Sequence, residues 1–269
     1  MKGKQWFALL LAGLLCLSVT ACGGSEEIPE ISKEELSAMA DEELISFLLD
    51  RSASFQEPQV FEAEMSYRYT SADTTVTSMS GTVRSNGIDR IMTFDRTVGD
   101  TTESLTYIYK NGTMYWNDGG LYRYDVESEQ AAEYFAKQYS YFGTVSSYGF
   151  ARKDLLRRED GYYHLVLSSP ANGVGDADLL SPLGWLEEDQ AVTLSSYSDV
   201  YLSLCFSSEG HLVGKTLGLD CKMTNDGVVT EGSVVYHFRI RSVEPVQNPI
   251  SEPDNAESYE IPKASPFTE

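Results

Sequence analysis

The sequence predicts an α+β protein with one large, curled antiparallel β-sheet of about ten strands, an incomplete barrel with helices on its concave side. Alternation of apolar and polar residues, which is typical of half-buried strands, recurs from residue 61 to residue 240. Turn sequences such as Asn111-Gly112 and Asp226-Gly227 join successive strands, and this makes neighbouring strands antiparallel. Helical spacing occurs in only two segments, and an open sheet of this size has to curl.

The strand segments are short and follow one another with few residues between them. Each is bounded by Gly, Asp, Asn, Ser or Pro, the residues that favour turns. They cover residues 61–69, 75–84, 88–98, 103–110, 113–117, 121–125, 150–157, 162–168, 197–206, 212–223 and 228–240.

Two segments have helical spacing. The first covers residues 33–52, begins with a capping-box pattern (SKEE), and leaves open a break near Ala40. The second covers residues 127–142 and carries an aromatic stripe that includes Tyr134 and Phe135. Such a stripe belongs to a protein core more often than to a ligand site, and both alternatives stay open from the sequence.

Charge and composition exclude several functional classes. The chain of 269 residues has 20 Lys+Arg against 41 Asp+Glu, a formal net charge of −21. An acidic surface repels phosphate backbones and anionic headgroups, so we expect no nucleic-acid partner and no attachment to membranes by charge alone. With 42% hydrophobic residues, the chain has enough apolar side chains for a sizeable core and is not a disordered sequence.

The first residues have the pattern of a secretory signal. Lys2 and Lys4 precede an apolar run over residues 6–17, and small residues lead to a cysteine in the sequence VTAC, residues 19–22. These four residues resemble the bacterial lipobox, which implies that Cys22 receives a diacylglyceryl thioether after cleavage. The alternative is ordinary secretion with cleavage at the same bond.

This pattern divides the chain into four parts. We expect a lipoprotein signal peptide at residues 1–21, a lipidated tether at 22–32, one domain at 33–262 and a C-terminal tail at 263–269. The predicted location is extracytoplasmic, with the protein anchored to the cell membrane by lipid. Two acyl chains are what stable anchoring requires, because one chain alone binds membranes only marginally.

Motifs of catalysis or metal binding are hard to find in this sequence. His164, His211 and His237 are far apart along the chain, and none has a second ligand at zinc-site spacing. A nucleophile elbow, a phosphate loop and a His-Glu-x-x-His motif do not occur. Asp176 and Asp178 allow a calcium loop, but a solvated acidic loop is the simpler interpretation. We therefore expect no enzyme activity, no cofactor and no metal.

Two cysteines of the predicted domain invite a disulfide interpretation, and strand register argues against it. A turn at residues 209–210 places Cys205 opposite Gly214 and Cys221 opposite Ser198. The two cysteines are then seven positions apart, roughly 23 Å along the strands. A disulfide needs Cα atoms within about 7 Å, so we expect both to remain thiols.

Two stretches in the middle of the chain resemble a known family. Residues 107–116 (YIYKNGTMYW) and 118–124 (DGGLYRY) resemble the central meander of the LolA/LolB/LppX-like lipoprotein superfamily, and within it the uncharacterised lipoproteins of Gram-positive bacteria. The order of elements over residues 33–262 is also similar. The resemblance implies a curled, incompletely closed sheet whose hollow holds lipids or lipoproteins, and it implies no particular ligand residue.

Two functions compete on these observations. The first is a non-enzymatic, membrane-anchored protein that binds or carries an apolar or amphiphilic ligand in the hollow of the sheet. The second is a lipid-tethered interaction module that contacts another envelope protein, with its hollow filled by its own side chains. The apolar segment at residues 170–190 suits a lid. The predicted ligand contacts are Trp185, Phe135, Tyr134 and Leu183.

Overall fold

Eleven antiparallel strands form a single sheet in the described part of the chain. The computed structural model describes residues 31–55, 58–71, 74–139, 150–157, 161–170, 193–225, 228–244 and 249–263. The sheet has eleven strands where about ten were expected, and each predicted strand segment overlaps one of them. They are β1 (Val60–Ser71), β2 (Thr74–Asn86), β3 (Arg90–Val98), β4 (Thr101–Lys110), β5 (Thr113–Trp116), β6 (Tyr122–Asp125), β7 (Arg152–Arg157), β8 (Tyr163–Pro170), β9 (Thr193–Phe206), β10 (Leu212–Asn225) and β11 (Val228–Ser242).

The strand order is that of two meanders joined in the middle. The sheet runs β6-β5-β4-β3-β2-β1-β11-β10-β9-β8-β7, so the first strand pairs with the last one. Tyr67 lies opposite Tyr236 across this central pair. The outermost strands, β6 and β7, do not pair with each other, and the sheet is therefore open, as the sequence predicts.

Three helices precede or interrupt the strands. The first predicted helix is in fact two, α1 (Lys33–Ala38) and α2 (Asp41–Ala53), with the break at the predicted place. The capping box at the start of α1 is complete, because Ser32 and Glu35 bond each other's backbone N–H groups. The second predicted helix is α3 (Ser128–Tyr139) within the described residues. None of the described helices is long and apolar enough to cross a membrane.

The sheet has an apolar face and a polar face, which we call the core face and the outer face. On β1 the core face carries Phe61, Met65 and Tyr67, while Glu64 and Arg68 point to the outer face. The same alternation continues across the central strands, where Leu217 pairs with Tyr236 and with Leu202. Strand alternation therefore sorts the side chains as the sequence predicts.

Side chains of all three helices belong to the same buried cluster as the core face. They are Leu36 of α1, Leu44 and Leu48 of α2, and Ala131 and Phe135 of α3, all of them fully buried. The helices thus supply the second layer that an apolar sheet face requires.

Arg157 at the end of β7 fixes the connection between α1 and α2. Its guanidinium donates to the backbone oxygens of Ser37 and Met39, at 3.2 Å and 2.7 Å, and pairs with the Asp41 carboxylate at 3.0 Å. These bonds satisfy carbonyl groups that the end of a short helix leaves without intrahelical donors.

The C-terminal segment, predicted to be extended, packs on the outer face. Ile250 is buried there with Ile108 and Tyr115, and the rings of Tyr115 and Tyr259 meet edge to face at 5.4 Å. The backbone of Glu260 bonds to the N–H of Arg123 and to the oxygen of Leu121. The segment therefore covers the outer face at β4 and β5 and lies along the edge strand β6.

Cys205 lies opposite Gly214, as predicted, and carries a thiol. Cys221 lies opposite Tyr197 rather than Ser198, because the register of β9 and β10 shifts between Leu219 and Cys221. Such a bulge inserts one residue into one strand, and the alternation of the sequence does not reveal it. The predicted separation of the two cysteines along the strands is retained.

Two glycines mark places where neighbouring strands approach very closely. A Cβ atom at Gly81 would collide with the backbone oxygen of Thr93 and the Cβ of Phe94. A Cβ atom at Gly232 would collide with the backbone oxygen of Thr70. Glycine at such positions permits a local bend that any side chain would obstruct. The bends are consistent with the predicted curl of the sheet.

We predict that Gly81→Ala lowers the free energy of unfolding by about 1–3 kcal/mol, because the added methyl group forces β2 and β3 apart in the packed core. Denaturant unfolding followed by circular dichroism measures this loss. Ser80→Ala, at the exposed neighbouring position, is the control and should change the free energy by less than about 0.5 kcal/mol. Equal stability of the two variants would contradict the close approach.

Candidate binding site

The core face is rich in tyrosine as well as aliphatic side chains. Tyrosine offers a flat apolar ring and a hydroxyl that needs a partner when buried. Six tyrosines of this face are at most 6% exposed: Tyr67, Tyr69, Tyr107, Tyr109, Tyr163 and Tyr236. The face is thus apolar over most of its area and offers hydroxyl groups at scattered points.

Aromatic rings from β3, β4 and α3 meet at one place on this face. The ring of Tyr107 stacks on Phe94 with 5.8 Å between centroids. On its other side it faces Tyr134 of α3 at 6.1 Å. Trp116 on β5, next to Tyr107 in the sheet, packs against Tyr122 at 5.6 Å. These rings lie where α3 meets the sheet, and we call them the aromatic surface.

Charged groups adjoin the aromatic surface, and we call Arg96, Glu103, Tyr107 and Asp118 the polar cluster. The Tyr107 hydroxyl donates to one oxygen of Asp118 at 3.0 Å. The Arg96 guanidinium lies 3.4 Å from the other oxygen of Asp118 and 2.6 Å from Glu103. Arg96 therefore bridges two carboxylates beside buried rings.

Burial raises the pKa of the Tyr107 hydroxyl far above its ordinary value, and the neighbouring Tyr134 and Asp118 add to this rise. A phenol whose pKa is raised keeps its proton at neutral pH. Tyr107 is therefore a hydrogen-bond donor to Asp118 and not an anion. It holds that carboxylate in place at the boundary between the apolar surface and the charged groups.

Two further polar side chains interrupt the core face. The Thr77 hydroxyl, opposite Tyr69, is buried and has no hydrogen-bond partner among the described residues. Lys215 is 2% exposed and lies between Phe238 and Leu204 in the sheet. Burying an ammonium group is costly unless hydrogen-bonding or negative groups surround it. The core face therefore contains a buried hydroxyl group at Thr77 and a buried ammonium group at Lys215.

The predicted ligand contacts fall into two groups. Tyr134 is partly buried against the core and lies beside the polar cluster, whereas Phe135 is fully buried in the core. Trp185, Leu183 and the lipidation residue Cys22 lie outside the described residues, as does most of the predicted lid. Ligand contact by Tyr134, Phe135, Leu183 and Trp185 and acylation of Cys22 stay predictions.

Sequence reasoning missed the polar cluster and Lys215. Arg96 and Asp118 lie 22 positions apart, and only the register of β3, β4 and β5 brings them to Tyr107. The burial of Lys215 could have been predicted from the sequence, because Lys215 lies two residues before the apolar Leu217 and so points to the same face of the strand. Within the described ranges, no group of three His, Cys, Asp or Glu side chains could hold a metal ion.

No protein-family model matches the chain, and no curated protein matches it. Among solved structures, the LolA superfamily protein NE2245 from Nitrosomonas europaea aligns with 74% of this chain and 94% of its own, with 11% identity and a TM-score of 0.19. The dehydratase domain of the polyketide PpsC from Mycobacterium tuberculosis aligns with 72% of this chain and 80% of its own, with 10% identity and a TM-score of 0.12. TM-scores this low carry no argument about fold or function.

We predict that Tyr107 and Asp118 stabilise the fold jointly. Tyr107→Phe should lower the free energy of unfolding by about 0.5–1.5 kcal/mol, because the partly exposed Asp118 carboxylate loses the hydrogen bond from the buried Tyr107 hydroxyl. In a double-mutant cycle with Asp118→Ala, the coupling free energy should exceed about 0.5 kcal/mol. Tyr122→Phe is the matched control, since its ring belongs to the same aromatic surface but makes no hydrogen bond to Asp118; its coupling should be near zero. Additive effects of Tyr107→Phe and Asp118→Ala would refute the interaction.

Proposed function

We propose that this chain is a non-enzymatic, extracytoplasmic lipoprotein of the LolA type that binds an amphiphilic ligand on its core face. The observation that carries the proposal is the polar cluster beside the aromatic surface of Phe94, Tyr107 and Tyr134. An amphiphile has an apolar chain and a polar head. The rings match the chain and the polar cluster matches the head, and the two groups adjoin each other because both include Tyr107.

The two surfaces have separate roles in this proposal. The apolar chain of the ligand lies against rings and aliphatic side chains, where each buried methylene contributes about 0.8 kcal/mol. The head contacts Arg96 or the hydroxyl groups, which fix its orientation. Tyr134 of α3 adjusts to the ligand, because it is only partly buried.

Binding suits the polar cluster better than catalysis does. The carboxylate of Asp118 is engaged by Tyr107 and Arg96, and the carboxylate of Glu103 is engaged by Arg96. At the operating pH, a general acid has to release a proton and a general base has to take one up. Tyr107, whose pKa is strongly raised, does not release its proton near neutrality. The cluster therefore orients a bound group and transfers no proton to it.

Anchoring through Cys22 completes the proposal. The tether between Cys22 and α1 is short and contains Gly and Pro residues. Two acyl chains at Cys22 would keep the domain beside a supply of amphiphiles in the membrane. The net charge of −21 would hold the rest of the domain away from anionic headgroups.

A second function has one specific observation in its favour. Ala131 and Phe135 of α3 are fully buried in the cluster that includes the core face. Part of the predicted hollow is thus filled by the protein's own side chains. This supports the interaction module, in which the domain contacts another envelope protein and binds no lipid.

A titration distinguishes the two functions. A fluorescent fatty acid, added to the delipidated chain from residue 23 onward, should bind saturably and change tryptophan emission, because Trp116 belongs to the aromatic surface. Tyr134→Ala should weaken binding about tenfold, the loss expected when about 1.4 kcal/mol of ring contact is removed. Tyr162→Ala, on the outer face, is the control and should leave binding unchanged.

Native mass spectrometry with organic extraction provides an independent measurement on the same protein. A co-purifying amphiphile supports the binding function. No saturable binding at high micromolar concentration, together with no extracted lipid, would reject it in favour of the interaction module. Equal weakening by Tyr134→Ala and Tyr162→Ala would place the ligand elsewhere on the domain.

We also predict that Cys22 is acylated. Labelled palmitate should enter the wild-type protein, because the thioether at Cys22 is formed from membrane lipid. Cys22→Ala should shift the protein from the membrane to the medium or stall it as a precursor. Cys16→Ala, in the preceding apolar run, is the control and should leave labelling intact. Equal membrane retention of Cys22→Ala and the wild type would reject the anchor.

A further inference from the structure

The outer face carries a thiol next to an imidazole, on the side of the sheet opposite the proposed binding surface. Cys205 on β9 lies opposite His164 on β8. The Cys205 Sγ and the His164 Nε2 are 3.6 Å apart, within hydrogen-bonding distance for sulfur. Both residues are only partly buried. The proposed binding function uses neither residue.

One basic side chain, that of Arg239, adjoins this pair, although the chain as a whole is acidic. The row of the sheet that contains His164 and Cys205 continues through Gly214 to Arg239. A Cβ atom at Gly214 would lie 3.5 Å from the Cβ of Cys205 and 3.6 Å from the Cγ of Arg239. Gly214 thus leaves the stem of Arg239 as the neighbour of Cys205 on that side.

Arg239 is itself held in place by a second contact. The Arg239 guanidinium lies over the ring of Tyr162 at 5.6 Å, which brings it back toward β8. Glu64 lies opposite Arg239 on β1 and pairs with Arg241, so it is the acidic group of this row. A neighbouring cation favours the thiolate form of a cysteine over the neutral thiol.

We propose that Cys205, activated by His164, is a site of covalent thiol modification that reacts with small disulfides. His164 Nε2 accepts the thiol proton, and the Cys205 thiolate attacks one sulfur of the disulfide. A new S–S bond forms to Cys205 as the old S–S bond breaks. The other half leaves as a thiolate and takes the proton from the imidazolium. The small disulfide is the only oxidant, and electrons and protons balance.

Sequence analysis assigned no role to His164, because no metal ligand lies near it in the chain. The two residues are 41 positions apart, and only the pairing of β8 with β9 brings them together. An extracytoplasmic location, which this proposal takes from the proposed anchoring, would expose the thiol to an oxidising environment.

The experiment compares the reactivity of Cys205 in the folded and the denatured chain. The full-length protein is treated with oxidised glutathione at mildly acidic pH, below the ordinary cysteine pKa. Peptide mass mapping then gives the rate of adduct formation at each cysteine. Folding should accelerate the reaction of Cys205 about tenfold over the denatured chain, because His164 and the neighbouring Arg239 favour the thiolate. Partial burial alone would slow the reaction on folding.

Two matched substitutions assign the effect to His164. His164→Gln keeps a polar neighbour but removes the base, so the acceleration by folding should disappear. His237→Gln changes a histidine on the same face that bonds Thr216 at 2.8 Å, and it should leave the acceleration intact. Thermal melting of both variants verifies that they fold.

Three outcomes would overturn the proposal. Cys205 could react no faster in the folded than in the denatured wild-type chain, a result that needs no variant to fold. The acceleration could persist in His164→Gln, or it could be lost equally in His237→Gln. None of these outcomes depends on ligand binding by the core face or on acylation of Cys22, so failure here leaves the proposed function in place.

Discussion

The pairing of β1 with β11 is the constraint on which the rest of the structure depends. It joins the first strand of the sheet to the last, with Tyr67 opposite Tyr236 and Met65 opposite Phe238. Without this pair the sheet would be two separate meanders, each with its core face half covered. Because the paired strands are far apart in sequence, bringing them together carries a large entropic cost of loop closure. The alternating buried rings and aliphatic side chains on both strands supply the compensating free energy.

This central pair also determines where the polar and reactive side chains lie in the sheet. The first meander brings the polar cluster of Arg96, Tyr107 and Asp118 to one part of the core face. The second meander places Lys215 on the same face and the Cys205–His164 pair on the other. An antiparallel sheet with two chemically different faces thus places the proposed amphiphile surface and the proposed thiol site on opposite faces and in different meanders, six strand steps apart from β4 to β9.

Much of the fold could be predicted from the sequence because period-2 alternation and turn residues are local signals. The Asn111-Gly112 turn has positive φ at both residues, which a tight hairpin requires. Sequence alternation also gave the correct facing of Cys205 and Gly214. The predicted facing was wrong further along β10, at Cys221, because a bulge adds a residue to one strand without changing the alternation of the sequence. The polar cluster was missed for a related reason: it is assembled by long-range register, and no local pattern encodes which strands become neighbours.

Register connects the two faces energetically. Neighbouring residues of one strand point to opposite faces, so Leu204 is buried beside Lys215 while Cys205 meets His164 on the outer face. A slip of β9 by one residue would expose the leucine and bury the cysteine. Burial of a leucine is worth about 1.5–3 kcal/mol, and several strands would have to shift together, so such a slip is strongly disfavoured. The hydrophobic free energy of the core face therefore fixes the pairing of Cys205 with His164 on the other side, and within that pairing Sγ and Nε2 lie 3.6 Å apart.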